Sequence, residues 1–130
     1  MNLFILLFLV HCIDDFVLQP ICLSKLKQQD WWLKNVPNQP RDKNNKKLYR
    51  NDYKMALAIH AFEWSASLSV ILMFFNAPDW FIGVAFIVNG IIHMYVDDAK
   101  ANRHMISLVF DQTTHILQII ATVVWFYAVQ

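Results

Sequence analysis

The chain has 130 residues, of which 57% are hydrophobic and 15% aromatic, and it contains only 2 glycines. Its length fits a single domain over residues 1–130, and its two cysteines are too few for a disulfide framework. The net charge of +1 hides a strong segregation of basic residues, and the apolar residues are clustered into long blocks that an ordinary soluble core does not need.

Four apolar blocks follow one another along the chain, and each is about long enough for a membrane-spanning helix, which needs roughly 20 residues. The predicted spans are residues 2–20, 54–75, 79–98 and 105–129. The first block has no basic region before it and no small-residue cleavage pattern after it, so we expect it to be retained rather than removed as a signal peptide. The sequence therefore predicts an all-α fold, a four-span transmembrane helical bundle.

The predicted first cytoplasmic loop covers residues 21–53. The first helix should end near Pro20, because proline disfavours helix at the residue before it. Apolar and basic residues are interspersed over residues 22–33, and Trp31 and Trp32 suit headgroup depth, which predicts a short amphipathic helix in the membrane interface. The Asn/Lys-rich stretch that follows is predicted to be an exposed, mobile loop.

Basic residues indicate the orientation of the chain. Nine of the 11 Lys and Arg residues lie between Lys25 and Lys54, and the other two are Lys100 and Arg103. An excess of basic residues marks loops that stay in the cytoplasm, so both termini should lie outside. A nucleic-acid patch is an alternative, but topology explains the basic stretch more simply, and we expect membrane lipids with anionic headgroups as partners.

Each predicted span carries a histidine with a carboxylate about one helical turn away. Residues three or four apart lie on the same face of a helix. The pairs are His11 with Asp14 and Asp15, His60 with Glu63, His93 with Asp97, and His115 with Asp111. At 1.5 Å per residue, all four pairs lie roughly 5–18 Å from the cytoplasmic boundary. The pairs are therefore predicted to form one polar layer.

This layer has the composition of a metal centre. Ionised carboxylates in hydrocarbon cost about 2.5–3.5 kcal/mol each, so the layer needs a compensating charge. Imidazole and carboxylate together suit zinc first, with manganese or iron as alternatives, and inward-facing His/acid pairs build di-metal bundles. The predicted ligands of one or two ions are His11, Asp15, His60, His93, Asp97, Asp111 and His115.

Other readings of the polar residues stay open. The histidines and acids could hold the helices together by hydrogen bonds, or form a proton or ion relay. A relay is disfavoured because the pairs cluster in one leaflet and no polar ladder continues to the outer side. Cys12 could supply a thiolate ligand, and Glu63 could be a ligand or accept a hydrogen bond from His60. Lys100 could pair with Asp97 or hold a phosphate.

Three strings of residues resemble a known family. They are His11-x3-Asp15-Phe16-x2-Gln19, His93-x3-Asp97-x2-Lys100 and Asp111-Gln112-x2-His115, with His60 between them. The set resembles the small multi-pass family catalogued as domain of unknown function 3307, across all four helices, with the loop over residues 37–50 looking like an insertion. The resemblance implies a protein of the cytoplasmic (inner) membrane of a bacterium or a phage-infected bacterium, and no established reaction. A looser similarity links the His/Asp architecture to membrane-bound metal-dependent hydrolases.

Two functions are compatible with these residues. The first is a metal-dependent hydrolase in the cytoplasmic leaflet that acts on a phospholipid, an isoprenoid phosphate or a similar amphiphile. Glu63 or Asp14 would act as general base, and Lys100 with Arg103 would attract the anionic headgroup. The alternative is a non-catalytic membrane module, with a structural metal or polar cluster, that binds or inhibits another membrane protein.

Overall fold

The computed structural model describes residues 2–19 and 21–130. Six α-helices follow one another in the order α1 (Leu3–Ile13), α2 (Ile21–Leu26), α3 (Gln29–Asn35), α4 (Asp52–Phe74), α5 (Asp79–Ala101) and α6 (Leu108–Ala128). A π-helical segment, Asp14–Leu18, continues α1 directly. Within the described ranges there is no β-strand, and Arg41 and Lys47 form an isolated bridge. The predicted all-α class is confirmed.

Three helices, α4, α5 and α6, are long and apolar enough to cross a membrane. They lie within three residues of the predicted spans 54–75, 79–98 and 105–129 at every end. The predicted first span, residues 2–20, consists of the 11 residues of α1 and the 5 residues of the π-helical segment. Its predicted end at Pro20 lies outside the described residues. By the length and composition of α4 to α6, the chain is a membrane protein.

The apolar core lies between the long helices. On α4, buried residues recur every four positions at Trp64, Leu68 and Leu72, which places them on one face. These residues belong to one buried cluster with Phe81 of α5 and Leu7 of α1. Residues of α6 complete the same cluster. The helices therefore enclose one core, and the polar layer lies at the end of this core that faces the turn after α5.

The α4–α5 interface leaves no room for a side chain at Gly90. A Cβ atom added there would lie 2.7 Å from Cε1 of the Phe62 ring, and that ring also packs against Phe86 with centroids 5.4 Å apart. The side chain of Phe62 therefore occupies the space that any larger residue at position 90 would need.

We expect Gly90→Ala to destabilise the protein by about 1–3 kcal/mol, because the added methyl group overpacks the interface. Thermal unfolding in detergent, followed by circular dichroism, measures the effect. Gly83→Ala in the same helix is the control, since no atom lies within 4 Å of its Cβ position, and alanine favours helix by about 1 kcal/mol over glycine. Equal melting temperatures for the two variants would contradict the close packing.

The predicted single amphipathic helix over residues 22–33 is wrong in one respect, because two short helices, α2 and α3, replace it. The helix is interrupted at Lys27 and Gln28, where the side chain of Asn102, the residue that follows α5, binds the backbone. The Asn102 Oδ1 atom accepts the Gln29 N–H at 2.7 Å, and its Nδ2 atom donates to the Lys27 carbonyl at 3.1 Å. We call the segment from α2 to α3 the strap.

The Asn/Lys-rich loop turns around the side chain of Asp42. Its Oδ1 atom accepts the backbone N–H groups of Asn44 and Lys46, each at 2.9 Å, and Oδ2 accepts Arg50 Nη1 at 3.2 Å. The hydrogen bond from Lys46, followed by the one from Arg50, lowers the pKa of the Asp42 carboxyl. The loop is therefore tied at one carboxylate while Lys43 and Lys46 stay exposed.

Candidate metal centre

Histidines and aspartates from four helical segments converge in one buried layer. The α-helical members are at most 2% exposed, and the side chain of the remaining member, Asp15 in the π-helical segment, is 10% exposed. The α-helical members are His60 on α4, His93 and Asp97 on α5, and Asp111 and His115 on α6. The helices thus bring together six of the seven predicted ligands, and these six are called the His/Asp cluster below.

One half of the His/Asp cluster surrounds His60. The Nε2 atom of His60 lies 3.5 Å from Asp15 Oδ1, 3.6 Å from Asp97 Oδ2 and 3.2 Å from His93 Nε2. The four side chains come from α4, α5 and the π-helical segment. Their nitrogen and oxygen atoms therefore face a common point between these elements.

The other half surrounds His115. Its Nε2 atom lies 3.5 Å from Asp97 Oδ1 and 3.6 Å from Asp111 Oδ1. The Nε2 atom of His93 lies 3.9 Å from the same Asp97 oxygen. Asp97 therefore connects the two halves, with Oδ2 facing His60 and Oδ1 facing the other two histidines.

These separations suit shared metal ligands better than hydrogen bonds. A charge-assisted N–H···O hydrogen bond is about 2.7–2.9 Å long, whereas the imidazole–carboxylate separations here are 3.5–3.9 Å. Two ligands bound tetrahedrally to zinc at about 2.0–2.1 Å lie about 3.3–3.4 Å apart. Asp15 Oδ1, Asp111 Oδ1 and His115 Nε2 are buried without a hydrogen-bond partner among the described residues.

Two overlapping groups of side chains could each hold a metal ion. They are Asp15 with His60 and His93, and His93 with Asp97 and His115. Within each group the ligand atoms lie within 4.8 Å of one another. The shared His93 and the two-sided Asp97 allow either one ion or a neighbouring pair.

His11, the seventh predicted ligand, lies beside the cluster with both ring nitrogens engaged. Trp64 Nε1 donates to His11 Nδ1 at 2.9 Å, and His11 Nε2 lies 3.2 Å from Gln112 Oε1. The Nδ1 lone pair is thus occupied, which leaves Nε2–H to donate to Gln112. Gln112 Nε2 in turn donates to Asp15 Oδ2 at 3.1 Å. In this arrangement His11 holds Gln112, and Gln112 orients Asp15.

We expect His11→Ala to leave the number of bound metal ions unchanged and to weaken metal affinity about 10–100-fold, as is typical for a group that orients a ligand. Competition titration with a chromophoric zinc chelator measures the affinity. His60→Ala is the comparison, since its ring lies within one of the two ligand groups. Loss of an ion in His11→Ala would show that the ring turns and coordinates.

Comparison with known proteins places the chain in a family. The model of a family described as "Protein of unknown function (DUF3307)" matches residues 36–130, which is well over half of the chain. The chain belongs to the DUF3307 family. No curated protein and no solved structure matches it significantly. The matched range contains α4 to α6 and the loop over residues 37–50, so the resemblance of the first helix stays a prediction.

The predicted catalytic side chains of this DUF3307 protein lie outside both ligand groups. Glu63 is exposed, whereas Asp14 is 3% exposed with Oδ2 lacking a partner among the described residues. Lys100 pairs with Asp111 rather than Asp97, with Nζ 2.5 Å from Asp111 Oδ2. Arg103 is exposed and binds Asp98 at 2.8 Å.

Two residues that contact the His/Asp cluster of this DUF3307 protein were not predicted from its sequence. Lys27 of the strap is 6% exposed, and its Nζ atom lies 2.5 Å from Asp97 Oδ2. No spacing signal distinguishes it from the other loop lysines. Trp64 stacks on His93 with centroids 4.4 Å apart, and His93 stacks on His115 at 4.0 Å. Trp64 did carry a signal, because it lies one turn after His60.

Polar contacts also continue beyond the cluster, contrary to the predicted absence of a polar ladder. Gln118 Nε2 donates to Asn89 Oδ1 at 2.9 Å, and Asn89 Nδ2 donates to Thr122 Oγ1 at 3.1 Å. Asn89 precedes His93 by one turn and Gln118 follows His115 by three residues, so helical spacing could have revealed them. In this DUF3307 protein the hydrogen bonds among these buried amide and hydroxyl side chains join α5 to α6.

Proposed function

We propose that the chain is an inner-membrane protein whose His/Asp cluster binds one or two divalent ions, zinc in the first place, and hydrolyses an amphiphile at the cytoplasmic face. The observation that carries this proposal is Asp97, whose two oxygens face three histidines at ligand spacing. A bound ion of this kind supplies hydroxide near neutral pH by lowering the pKa of its water.

The proposal includes a fourth span formed by α1 and the π-helical segment. Their 16 residues rise about 24 Å, somewhat less than the roughly 30 Å hydrocarbon core. Ile5, Leu9 and Ile13 are exposed at intervals of four residues, which gives α1 an apolar stripe suited to lipid. With four spans, the strap and the turn after α5 lie in the cytoplasm and both termini lie outside.

The residues of the chain have separate parts in the proposed reaction. The His/Asp cluster holds the ion, and Asp14 is the proposed general base, because its buried Oδ2 lacks a partner among the described residues and it adjoins Asp15 in the chain. Glu63 is less suited because it is exposed. Lys100 and Arg103, at the cytoplasmic end of α5, are proposed to attract an anionic headgroup.

A non-catalytic module is the second candidate, and a specific observation favours it. The ammonium groups of Lys27 and Lys100 already pair with Asp97 and Asp111 at 2.5 Å. Two of the three carboxylates in the cluster are therefore neutralised by the chain itself, as a structural polar core requires. The polar core would then only stabilise the fold, and the function of the protein would be to bind a membrane-protein partner.

Chelator-sensitive hydrolysis tests the first candidate. The full chain, reconstituted in lipid nanodiscs, is assayed for metal content and then for turnover of amphiphiles with a phosphate monoester, a phosphodiester or an acyl ester. We expect release of product from one class, loss of release with chelator, and recovery on addition of zinc. Bound metal without turnover of any class would favour the non-catalytic module.

A further inference from the structure

We propose that Lys27 binds the phosphate group of the substrate beside the His/Asp cluster, and that the substrate is therefore a phosphate ester. This inference rests on the proposed function for the bound metal and the hydrolysis. It adds a chemical class of substrate to that function. It also adds a binding residue, which lies outside the range matched by the family model.

Lys27 is a buried cation with unused donors. Its side chain is 8% exposed, and Nζ makes one hydrogen bond, to Asp97 Oδ2, among the described residues. An ammonium group has three N–H donors, so two remain for another acceptor. A buried ammonium is costly unless its hydrogen bonds are satisfied, and the oxygens of a phosphate group would satisfy them.

The strap holds Lys27 in this place. Asn102 binds the backbone on both sides of Gln28, through the Lys27 carbonyl and the Gln29 N–H. The same Nδ2 atom donates to Asp98 Oδ1 at 2.9 Å, which orients the side chain of Asn102 at the C-terminus of α5. The backbone that carries Lys27 is thus tied to the end of the helix that also supplies His93 and Asp97.

A second ammonium lies on the other side of His115. Lys100 Nζ binds Asp111 Oδ2, while Asp111 Oδ1 and Asp97 Oδ1 both face His115 Nε2. Lys27 and Lys100 therefore each bind a carboxylate whose other oxygen faces His115. The N–H donors that these ammonium groups leave free match the several oxygens of a phosphate monoester better than the single carbonyl oxygen of an acyl ester.

The corresponding reaction needs only water. The oxygen of water bonds to phosphorus, the bond from phosphorus to the alcohol oxygen breaks, and its electron pair leaves with the alcohol oxygen. That oxygen takes a proton from the attacking water, so the products are the alcohol and inorganic phosphate. Lys27 stabilises the negative charge on the phosphate oxygens throughout.

Phosphate binding by matched lysine variants tests the inference. Inorganic phosphate and dodecyl phosphate are titrated into the full chain in nanodiscs, with and without zinc, and binding is followed by phosphorus NMR. We expect Lys27→Met to weaken binding of both probes roughly tenfold to hundredfold, with zinc content unchanged. Lys25→Met, which changes an exposed lysine two residues earlier in the strap, should bind like the wild type. Tighter binding of dodecyl phosphate than of inorganic phosphate supports an ester with an apolar tail, whereas tighter binding of inorganic phosphate would indicate a free anion and overturn the ester assignment.

Each outcome decides the inference. Unchanged phosphate affinity in Lys27→Met would overturn it, and so would a joint loss of zinc and phosphate, because Lys27 would then act only on Asp97. If the chain binds no zinc, the proposed hydrolase fails, whereas phosphate binding that still depends on Lys27 supports the inference. If Lys27→Met does not fold, Asn102→Ala loosens the strap instead and should weaken phosphate binding several-fold; unchanged binding overturns the inference.

Discussion

Asp97→Asn is expected to lower the affinity for zinc by at least about 100-fold, the largest effect of any single substitution in the cluster. The amide keeps the shape of the side chain and removes its negative charge and one of its two ligand oxygens. Those oxygens face His60 on one side and His93 and His115 on the other, so both halves of the His/Asp cluster lose a contact. Competition titration with a chromophoric chelator measures the loss.

This substitution also breaks the buried ion pair with Lys27, which can destabilise the fold by about 3–5 kcal/mol. The double variant Asp97→Asn with Lys27→Met removes both charges, so it should recover stability without recovering zinc. Asp98→Asn is the matched control, because this neighbour binds Arg103 and Asn102 rather than a cluster histidine. Zinc affinity near the wild-type value in the double variant would show that Asp97 is not a ligand.

His60→Ala is expected to lower the rate of hydrolysis about 10³-fold or more, while the helices stay folded. A metal ion contributes several kcal/mol to stabilising the transition state, and about 4 kcal/mol corresponds to this factor. The fold should survive because α4 keeps its core residues Trp64, Leu68 and Leu72. Turnover of the best amphiphile and circular dichroism are measured on the same preparation.

His104→Ala is the control for this experiment. His104 is exposed and lies in the turn after α5, 3.7 Å from the exposed Asp30. We expect its turnover and helix content to equal those of the wild type. If His60→Ala unfolds and no variant ever separates activity from stability, the cluster is structural and the non-catalytic module is the better account.

The long helices could be predicted from the sequence because the signal is local. A block of apolar residues of the right length predicts α4, α5 and α6 without knowledge of their neighbours. The π-helical segment Asp14–Leu18 could not be predicted in this way, since its residues fit an ordinary helix equally well. There, contacts with other helices, such as those of Asp15 with His60 and Gln112, accompany the widened turn.

The same difference between local signals and contacts across helices decides which parts of the site could be predicted. A histidine and an acid one turn apart share a helix face, so pairs such as His93 with Asp97 are visible in the sequence. Partners across helices depend on turns and tilts that the spacing does not contain. Lys100 therefore pairs with Asp111 instead of Asp97, and Lys27 reaches Asp97 from a segment that the sequence predicts as an interfacial helix.

The metal content of the purified wild-type protein tests the account most directly. After equilibration with zinc, manganese and iron in turn, followed by removal of free metal, elemental analysis should find one or two ions per chain, with zinc retained best. A chain that retains none of the three metals, while circular dichroism shows it folded, would contradict the metal centre. The His/Asp cluster would then be a set of polar contacts between helices.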